Sequence, residues 1–121
     1  MLVNLSNHSS RTWNADQLSA AAEYGEVVDF PFPDVPAAAD EEWVSETADS
    51  LCREIAEKQP AAVLVQGEMS LAFAVVSRLM KRGITVVCAT SERRCDTVLV
   101  PDGSVERRSV FRFVRFRKYT L

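Results

Sequence analysis

Short apolar segments alternate with longer helix-like segments along this chain. The apolar segments are residues 2–5, 27–30 and 61–65, and a fourth follows at 84–89. A helix that connects two strands returns the chain to the start of the same sheet, so neighbouring strands become parallel. Because the third apolar segment has no polar face, it is typical of a strand buried on both sides. This alternation therefore predicts a mostly parallel sheet with helices on both faces.

Three segments are expected to form the helices of this fold. The first is capped by Asn14 and ended by Gly25. The second, residues 40–58, begins with an aspartate that can cap it and repeats apolar side chains every four residues, opposite an acidic outer face. The third, residues 71–82, is apolar almost all round. It should therefore be covered on more than one side, either by the C-terminal segment or by a second subunit.

The C-terminal quarter of the chain predicts a different kind of structure. After the fourth apolar segment we expect a polar loop at residues 90–94. Residues 97–100 and 110–119 then predict an antiparallel hairpin around the turn residues Pro-Asp-Gly-Ser. We therefore predict a single domain over residues 1–121. Its fold is a Rossmann-like α/β fold with a mostly parallel sheet, helices on both faces and a C-terminal β-hairpin.

Charged residues are segregated along the chain. Residues 14–58 carry twelve acids and two bases, whereas residues 92–121 carry eight bases and four acids, within a net charge of −3. A general nucleic-acid binder would be basic overall, so the composition argues against long nucleic acid as a partner. It leaves room for a local basic site that binds a small anion.

The cysteines and the single histidine do not form a spacing that is typical of a metal site. Cys52, Cys88 and Cys95 contain no CxxC pair. We expect no metal, no cofactor and reduced thiols, as in a cytoplasmic protein. No apolar run reaches the ~20 residues of a membrane helix, and the first residues lack the pattern of a secretory signal. The expected location is the cytoplasm, without a membrane partner.

Three polar loops follow predicted strands. They are residues 6–11, 66–70 and 90–94. The carboxyl ends of parallel strands meet at one edge of a sheet, where ligands bind. Hydroxyls, amides, arginines and helix N-termini at that edge favour a ligand that carries phosphate. The residues expected to bind it are Ser6, Asn7, Ser9, Ser10, Arg11, Gln66, Gly67, Met69, Ser70, Thr90, Ser91, Arg93 and Arg94.

Two residues in these loops are candidates for proton transfer. His8 is either an acid–base group or a loop residue that bonds to the backbone. Glu68 is either a functional carboxylate or an acid that suits the start of the next helix. Gly67 either admits a ligand closely or only forms the turn. Arg93 and Arg94 are either phosphate clamps or solvated side chains paired with nearby acids.

Several stretches of the chain resemble small standalone CRISPR-associated proteins of the CARF-like family. These stretches are residues 2–8, 13–18, 23–33, 66–70 and 89–94. The resemblance covers about residues 2–94 and leaves out the hairpin. None of the stretches is a named catalytic signature, and the sequence also contains no GxxxxGK[ST], GxGxxG or GxSxG motif.

The resemblance implies a role beside type III CRISPR systems. Relatives bind cyclic oligoadenylates, usually cyclic tetra-adenylate, in a pocket that crosses the two-fold axis of a homodimer. Some cleave the ring without metal, and others sequester it. For this chain the resemblance implies a homodimer, or a higher assembly, that lowers the free concentration of cyclic tetra-adenylate. Cleavage would use His8 or Glu68 as the base and Arg93 or Arg94 at the phosphate.

Two other functional classes remain open at this point. A protein-interaction module would use the acidic face of residues 40–58 as its partner surface. The other class is an enzyme that acts on a mononucleotide. Binding of cyclic oligoadenylates, linear oligoadenylate or mononucleotides separates these classes, and binding of none of them favours the interaction module.

Overall fold

A computed structural model describes residues 1–121 as five strands in one sheet and three α-helices. In chain order the elements are β1 (Leu2–Ser6), a short 3₁₀ helix (Ser10–Thr12), α1 (Ala15–Ala22), β2 (Val27–Pro31), α2 (Glu41–Glu57), β3 (Ala62–Gln66), α3 (Met69–Lys81), β4 (Val86–Leu99) and β5 (Val105–Lys118). None of the helices is both long enough and apolar enough to cross a membrane.

The strands lie in the order β2-β1-β3-β4-β5. β1 is parallel to β2 and β3, β3 is parallel to β4, and β5 runs antiparallel to β4. The predicted α/β fold with a mostly parallel sheet and a C-terminal hairpin is therefore confirmed, and the hairpin makes the sheet mixed. Because the strand order reverses at β1, the connections leave β1 and β3 in opposite directions. This opens a crevice between the carboxyl ends of these two strands.

The core lies on both faces of the sheet. Successive side chains of a strand point to opposite faces, so a strand that is apolar throughout needs cover on both. Val3 and Val65 pack among the buried residues of α2 and α3. Leu2 and Leu64 pack on the other face with Trp13 and with buried residues of α1 and β5. The prediction of helices on both faces is thus confirmed, with α2 and α3 on one face and α1 on the other.

The prediction of a loop at residues 90–94 is wrong. These residues belong to β4, which continues to Leu99 and pairs with β5, with a β-bulge between Thr90 and Ser91. The hairpin is accordingly longer than predicted. The facing strand carries valines and phenylalanines that favour strand structure and give the polar residues of β4 cross-strand partners. A polar segment can therefore form a strand when the strand it pairs with has a high β-propensity.

We call the distal part of this hairpin, residues 91–99 and 105–114 with their turn, the arm. β3 pairs with β4 only through Val63 and Leu64, so the arm extends beyond the parallel sheet. Its side chains are almost all exposed, and three of its large apolar ones, Leu99, Val105 and Phe111, are at least 60% exposed. A two-stranded ribbon is marginally stable in water by itself.

Candidate functional site

A pocket of about 400 Å³ opens at the carboxyl ends of β1, β3 and β4, on the face of the sheet that α1 covers. It lies at the crevice where the strand order reverses, so we call it the switch-point pocket. Five of the residues predicted for the site line it, namely Ser6, His8, Gln66, Thr90 and Ser91. Three aromatic side chains, Trp13, Phe111 and Phe113, complete its wall. Most of the lining residues are polar, so the pocket offers many hydrogen-bonding groups beside these aromatic surfaces.

The loop after β1, residues 6–11, is fixed by hydrogen bonds around Asn4, which is 2% exposed. We call it the β1 loop. Nδ2 of Asn4 donates to the carbonyl oxygen of His8 (2.8 Å) and to Oδ1 of Asp29 (2.9 Å). Oγ of Ser6 donates to Oδ1 of Asn4 (2.7 Å) and accepts from the backbone N–H of His8 (3.2 Å). The hydrogen bonds of His8 thus involve its backbone alone, and its imidazole is free of partners within the chain.

Asp29 attaches the same loop to β2. Its carboxylate accepts hydrogen bonds from the hydroxyls of Ser9 (3.1 Å) and Ser10 (2.9 Å) and from the backbone N–H of Ser10 (3.1 Å). Burial raises the pKa of the Asp29 carboxyl, but hydrogen bonds from Asn4, Ser10 and Ser9 outweigh it and hold the pKa below its usual value. The two serines therefore hold the loop in place, and their predicted contact with a ligand stays a prediction.

The other two residues of the β1 loop lie away from the switch-point pocket. Asn7 is exposed and lines a separate cleft of about 320 Å³ beside Asp29 and Phe30. Arg11 is exposed, and its side chain does not line the switch-point pocket. Within one subunit the structure therefore brings Ser6 and His8 to the pocket, but not their predicted companions in the loop.

The loop after β3, residues 66–70, contains a glutamate, Glu68, whose carboxylate caps the N-terminus of α3. We call it the β3 loop. The Glu68 carboxylate accepts hydrogen bonds from the hydroxyl and N–H of Ser70 (2.6 and 3.0 Å) and from the N–H of Leu71 (2.9 Å). Bonds from the Ser70 hydroxyl and from these two N–H groups hold the pKa of Glu68 below its usual value. The carboxylate occupies the positive end of α3, where a phosphate would otherwise bind, and α3 begins at Met69, two residues earlier than predicted.

Gly67 lies against an aromatic ring of the same chain. A Cβ atom at this position would lie 2.6 Å from three ring atoms of Phe32, which is 7% exposed. The backbone of Gly67 is not in the left-handed region, so the close approach of Phe32 is the structural reason for glycine here. Beside it, Oε1 of Gln66 accepts a hydrogen bond from the N–H of Ala89 (2.8 Å). This bond holds β3 and β4 together just beyond their last paired residues.

Arg93 and Arg94 lie on the arm and do not line the pocket. Arg93 donates to the hydroxyl of Ser109 through Nε (3.1 Å) and Nη2 (2.9 Å), and Arg94 pairs with Glu92 (3.0 Å). Because residues 90–94 form an extended strand and not a loop, the four residues from Ala89 to Arg93 span about 13 Å along β4. The phosphate clamp predicted for the pocket is therefore not assembled there within one subunit.

A second cavity, of about 500 Å³, lies on the opposite face of the sheet between α3 and the last residues of the chain. We call it the apolar groove. Exposed Met69 and Phe73 line it together with Leu121 and with the partly buried Cys88. Gln66 and Ala89 line both cavities. The apolar groove and the switch-point pocket are therefore neighbours across the same sheet edge.

The sequence analysis missed two polar residues that organise the site and three aromatic residues that line it. Asn4 and Asp29 interrupt otherwise apolar strands, and the parallel register places them side by side. A polar residue inside a strand that is predicted to be buried is a signal that could have found both. Phe111 and Phe113 gave no comparable signal, because the length of β4 decides whether the arm reaches the pocket.

The fold and the pocket define a class: an α/β domain with a mostly parallel sheet, helices on both faces and a polar pocket where the strand order reverses. The sequence matches the family described as "Uncharacterized protein MJ1673 family" over residues 1–117, and the chain belongs to this family. No protein with a curated description matches the sequence. The family description names no activity.

Proposed function

We propose that this CARF-like protein binds cyclic tetra-adenylate at the switch-point pocket and lowers its free concentration by cleaving the ring without metal. One observation carries the proposal: three separate chain segments, represented by Ser6 and His8, by Gln66, and by Thr90 and Ser91, meet in one pocket at the point where doubly wound sheets bind nucleotides. Trp13, Phe111 and Phe113 offer aromatic surfaces to bases, and the hydroxyls and amides offer hydrogen bonds to ribose and phosphate.

The size of the pocket supports a site shared between two subunits. At about 400 Å³ it is near the lower end of the roughly 300–1,000 Å³ that drug-sized ligands occupy. A ring of four nucleotides is larger, so one pocket would hold part of it and a second copy would hold the rest. The apolar groove offers a contact surface for that copy, because exposed Met69 and Phe73 lie there and Gln66 and Ala89 border both cavities. A two-fold axis beside this edge would bring two pockets together.

In the proposed reaction, a ribose 2′-oxygen attacks the adjacent phosphorus while the bond to the 5′-oxygen breaks. The products are a 2′,3′-cyclic phosphate and a 5′-hydroxyl. His8 accepts the proton of the 2′-hydroxyl, and the imidazolium returns a proton to the leaving 5′-oxygen. Its imidazole lines the pocket, and its loop is fixed by Asn4 and Ser6. Glu68 is less suited to this step, because a helix cap with a lowered pKa is a weaker base.

Sequestration without cleavage is a second candidate, and the charge of the pocket favours it. No arginine or lysine lines the switch-point pocket of one subunit. Cleavage gains much of its rate from positive groups and dipoles aimed at the charge that develops on the phosphorane. A protein that only holds the ring does not require them.

A single-turnover experiment separates the two candidates. With protein in excess over labelled cyclic tetra-adenylate and with EDTA present, cleavage predicts linear products that end in a 2′,3′-cyclic phosphate. His8→Gln, which keeps a polar side chain but cannot transfer the proton, should bind the ring and leave it intact. Glu54→Gln, an exposed change in α2 away from the pocket, is the matched control and should cleave normally.

Two outcomes would change the assignment. A ring that stays bound and intact for hours with the unmodified protein would establish sequestration. If the protein binds neither cyclic tetra-adenylate, linear oligoadenylate nor AMP, the nucleotide proposal is wrong. The acidic face of α2 would then be the better candidate for a functional surface.

A further inference from the structure

The two faces of the arm differ in charge. Residues directly opposite each other in an antiparallel ribbon share a face, and the faces alternate along each strand. One face carries the alternate residues from Ser91 to Leu99 and their partners from Val105 to Phe113. We call it the pocket-side face, because Ser91, Phe111 and Phe113 also line the switch-point pocket. The other face is called the outer face.

All the acids of the two arm strands lie on the outer face, namely Glu92, Asp96 and Glu106. The arginines of that face are in ion pairs: Arg94 with Glu92 (3.0 Å), Arg108 with Glu106 (3.5 Å) and Arg112 with Asp16 of α1 (3.8 Å). The outer face is therefore neutralised by its own charges and is typical of a solvated surface.

The pocket-side face has two arginines and no acid. Arg93 lies opposite Phe111, and Arg107 lies opposite Thr97. Arg93 bonds only to the neutral hydroxyl of Ser109 (2.9 Å), so the positive charge of its guanidinium has no carboxylate to offset it. Phe111 is 71% exposed beside it. The face thus combines uncompensated positive charge with an accessible aromatic ring.

We propose that the pocket-side face binds a short linear single-stranded oligonucleotide that extends out of the switch-point pocket. A base would stack on Phe111, and phosphates would pair with Arg93 and Arg107. Positive charge along a track, together with aromatic side chains on which bases stack, is the combination by which proteins hold single strands. Position 97, opposite Arg107, is four residues beyond Arg93, about 13 Å along the ribbon. This separation favours a chain with several phosphates over a mononucleotide.

This inference goes beyond the proposed function, since it requires neither a cyclic ligand nor cleavage. Ser91, Phe111 and Phe113 belong both to the wall of the pocket and to the arm, so the two surfaces are continuous. A linear chain can occupy such a surface continuously, whereas a closed ring is confined to the pocket. Both strands of the hairpin, through segments 91–97 and 107–113, contribute to the same track.

Fluorescence anisotropy with 5′-labelled linear hexa-adenylate tests the proposal. The double variant Arg93→Ala with Arg107→Ala should weaken binding tenfold or more. It should also reduce the dependence of log K on log salt by about 1.4, the value for two phosphate contacts on a single strand. The control is Arg94→Ala with Arg108→Ala, which removes the same charge from the outer face and should change the affinity less than threefold. Phe111→Ala should weaken binding without changing the salt dependence.

The length of the probe supplies an independent check. Affinity should increase from di-adenylate to hexa-adenylate in the unmodified protein, and it should stop increasing with length in the Arg93/Arg107 variant. Equal losses in both double variants, or no binding of hexa-adenylate, would overturn the proposal. If instead the Arg93/Arg107 variant changes the sedimentation coefficient of the protein without affecting the oligonucleotide, the face is an interface between subunits and the proposal is wrong.

Discussion

The β1 loop and the β3 loop end at the same edge of the sheet, yet they use their polar side chains differently. The β1 loop is fixed by hydrogen bonds to residues outside it, namely Asn4 of β1 and Asp29 of the neighbouring strand β2. The β3 loop is held from within, since Glu68 caps the helix that follows. Consequently His8 keeps its side chain free at the pocket, whereas the one carboxylate of the β3 loop is fully hydrogen-bonded.

This difference shows what makes a loop residue available for chemistry. A polar side chain at the start of a helix has N–H groups within reach, and these groups bind it unless another group satisfies them. The β1 loop leads first into a short 3₁₀ helix, and α1 is capped separately by Asn14. Ser9 caps the 3₁₀ helix with its hydroxyl, so neither helix uses the imidazole of His8 as a cap. The order of loop, cap and helix therefore decides which candidate residue can react.

The largest expected effect contrasts the two candidate bases. His8→Ala should lower the single-turnover rate of ring cleavage by about 10²–10⁴-fold, the usual loss for a general base. Glu68→Ala should change that rate less than about threefold at a temperature where the variant is fully folded, since its carboxylate serves the helix. The measurement is product formation from labelled cyclic tetra-adenylate. Equal losses in the two variants would remove the distinction between the loops.

Much of the fold could be predicted from the sequence because its signals are local. Apolar runs, the caps Asn14 and Asp40 and the breaker Gly25 predict the helices and the first three strands, and the structure has them nearly as expected. The extent of β4 could not be predicted in this way. Whether Thr90 and the polar residues after it form a loop or a strand depends on β5, which lies more than ten residues later.

The site was less predictable than the fold for a related reason. Residue type and loop position correctly indicated that Ser6, His8 and Gln66 would meet at one edge. They did not indicate which side chains would be engaged within the chain. The cap made by Glu68 and the contact of Gly67 with Phe32 depend on distances of a few ångströms, and these distances are set by packing.

A second prediction tests how the β1 loop is held. Asn4→Ala should lower the free energy of unfolding by about 3 kcal/mol, because it removes the amide that bonds to the His8 carbonyl, the Ser6 hydroxyl and the Asp29 carboxylate. Urea unfolding gives the value. Asn7→Ala is the matched control, since this exposed asparagine of the same loop should change the stability by no more than about 0.5 kcal/mol. Similar losses in both variants would mean that Asn4 does not hold the loop.

A third prediction concerns the packing of the β3 loop. Gly67→Ala should cost about 1–3 kcal/mol, because its Cβ would lie 2.6 Å from the Phe32 ring. In a Phe32→Leu background the same change should cost at least about 1 kcal/mol less, which a double-mutant cycle measures from urea unfolding. A strictly additive cycle would show that another constraint requires glycine. If Gly67→Ala instead keeps full stability but loses ligand binding, Gly67 is required for direct contact with the ligand.

The smallest expected effect is the pH dependence of the helix cap in the β3 loop. Glu68→Gln should lower Tm by roughly 3–6 °C at pH 7, and Glu68→Asp, which keeps a capping carboxylate, should lower it less. Because hydrogen bonds hold the pKa of Glu68 below its usual 4.5, its charged form stabilises the folded state fully above that pH. This stabilisation disappears as the pH falls through the lowered pKa. The difference in Tm between the unmodified protein and Glu68→Gln should therefore be constant from pH 7 to about pH 5 and should close below pH 4.5. A difference that persists at pH 3 would show that Glu68 stabilises α3 through its shape and not through its charge, and the contrast between the two loops would lose its electrostatic basis.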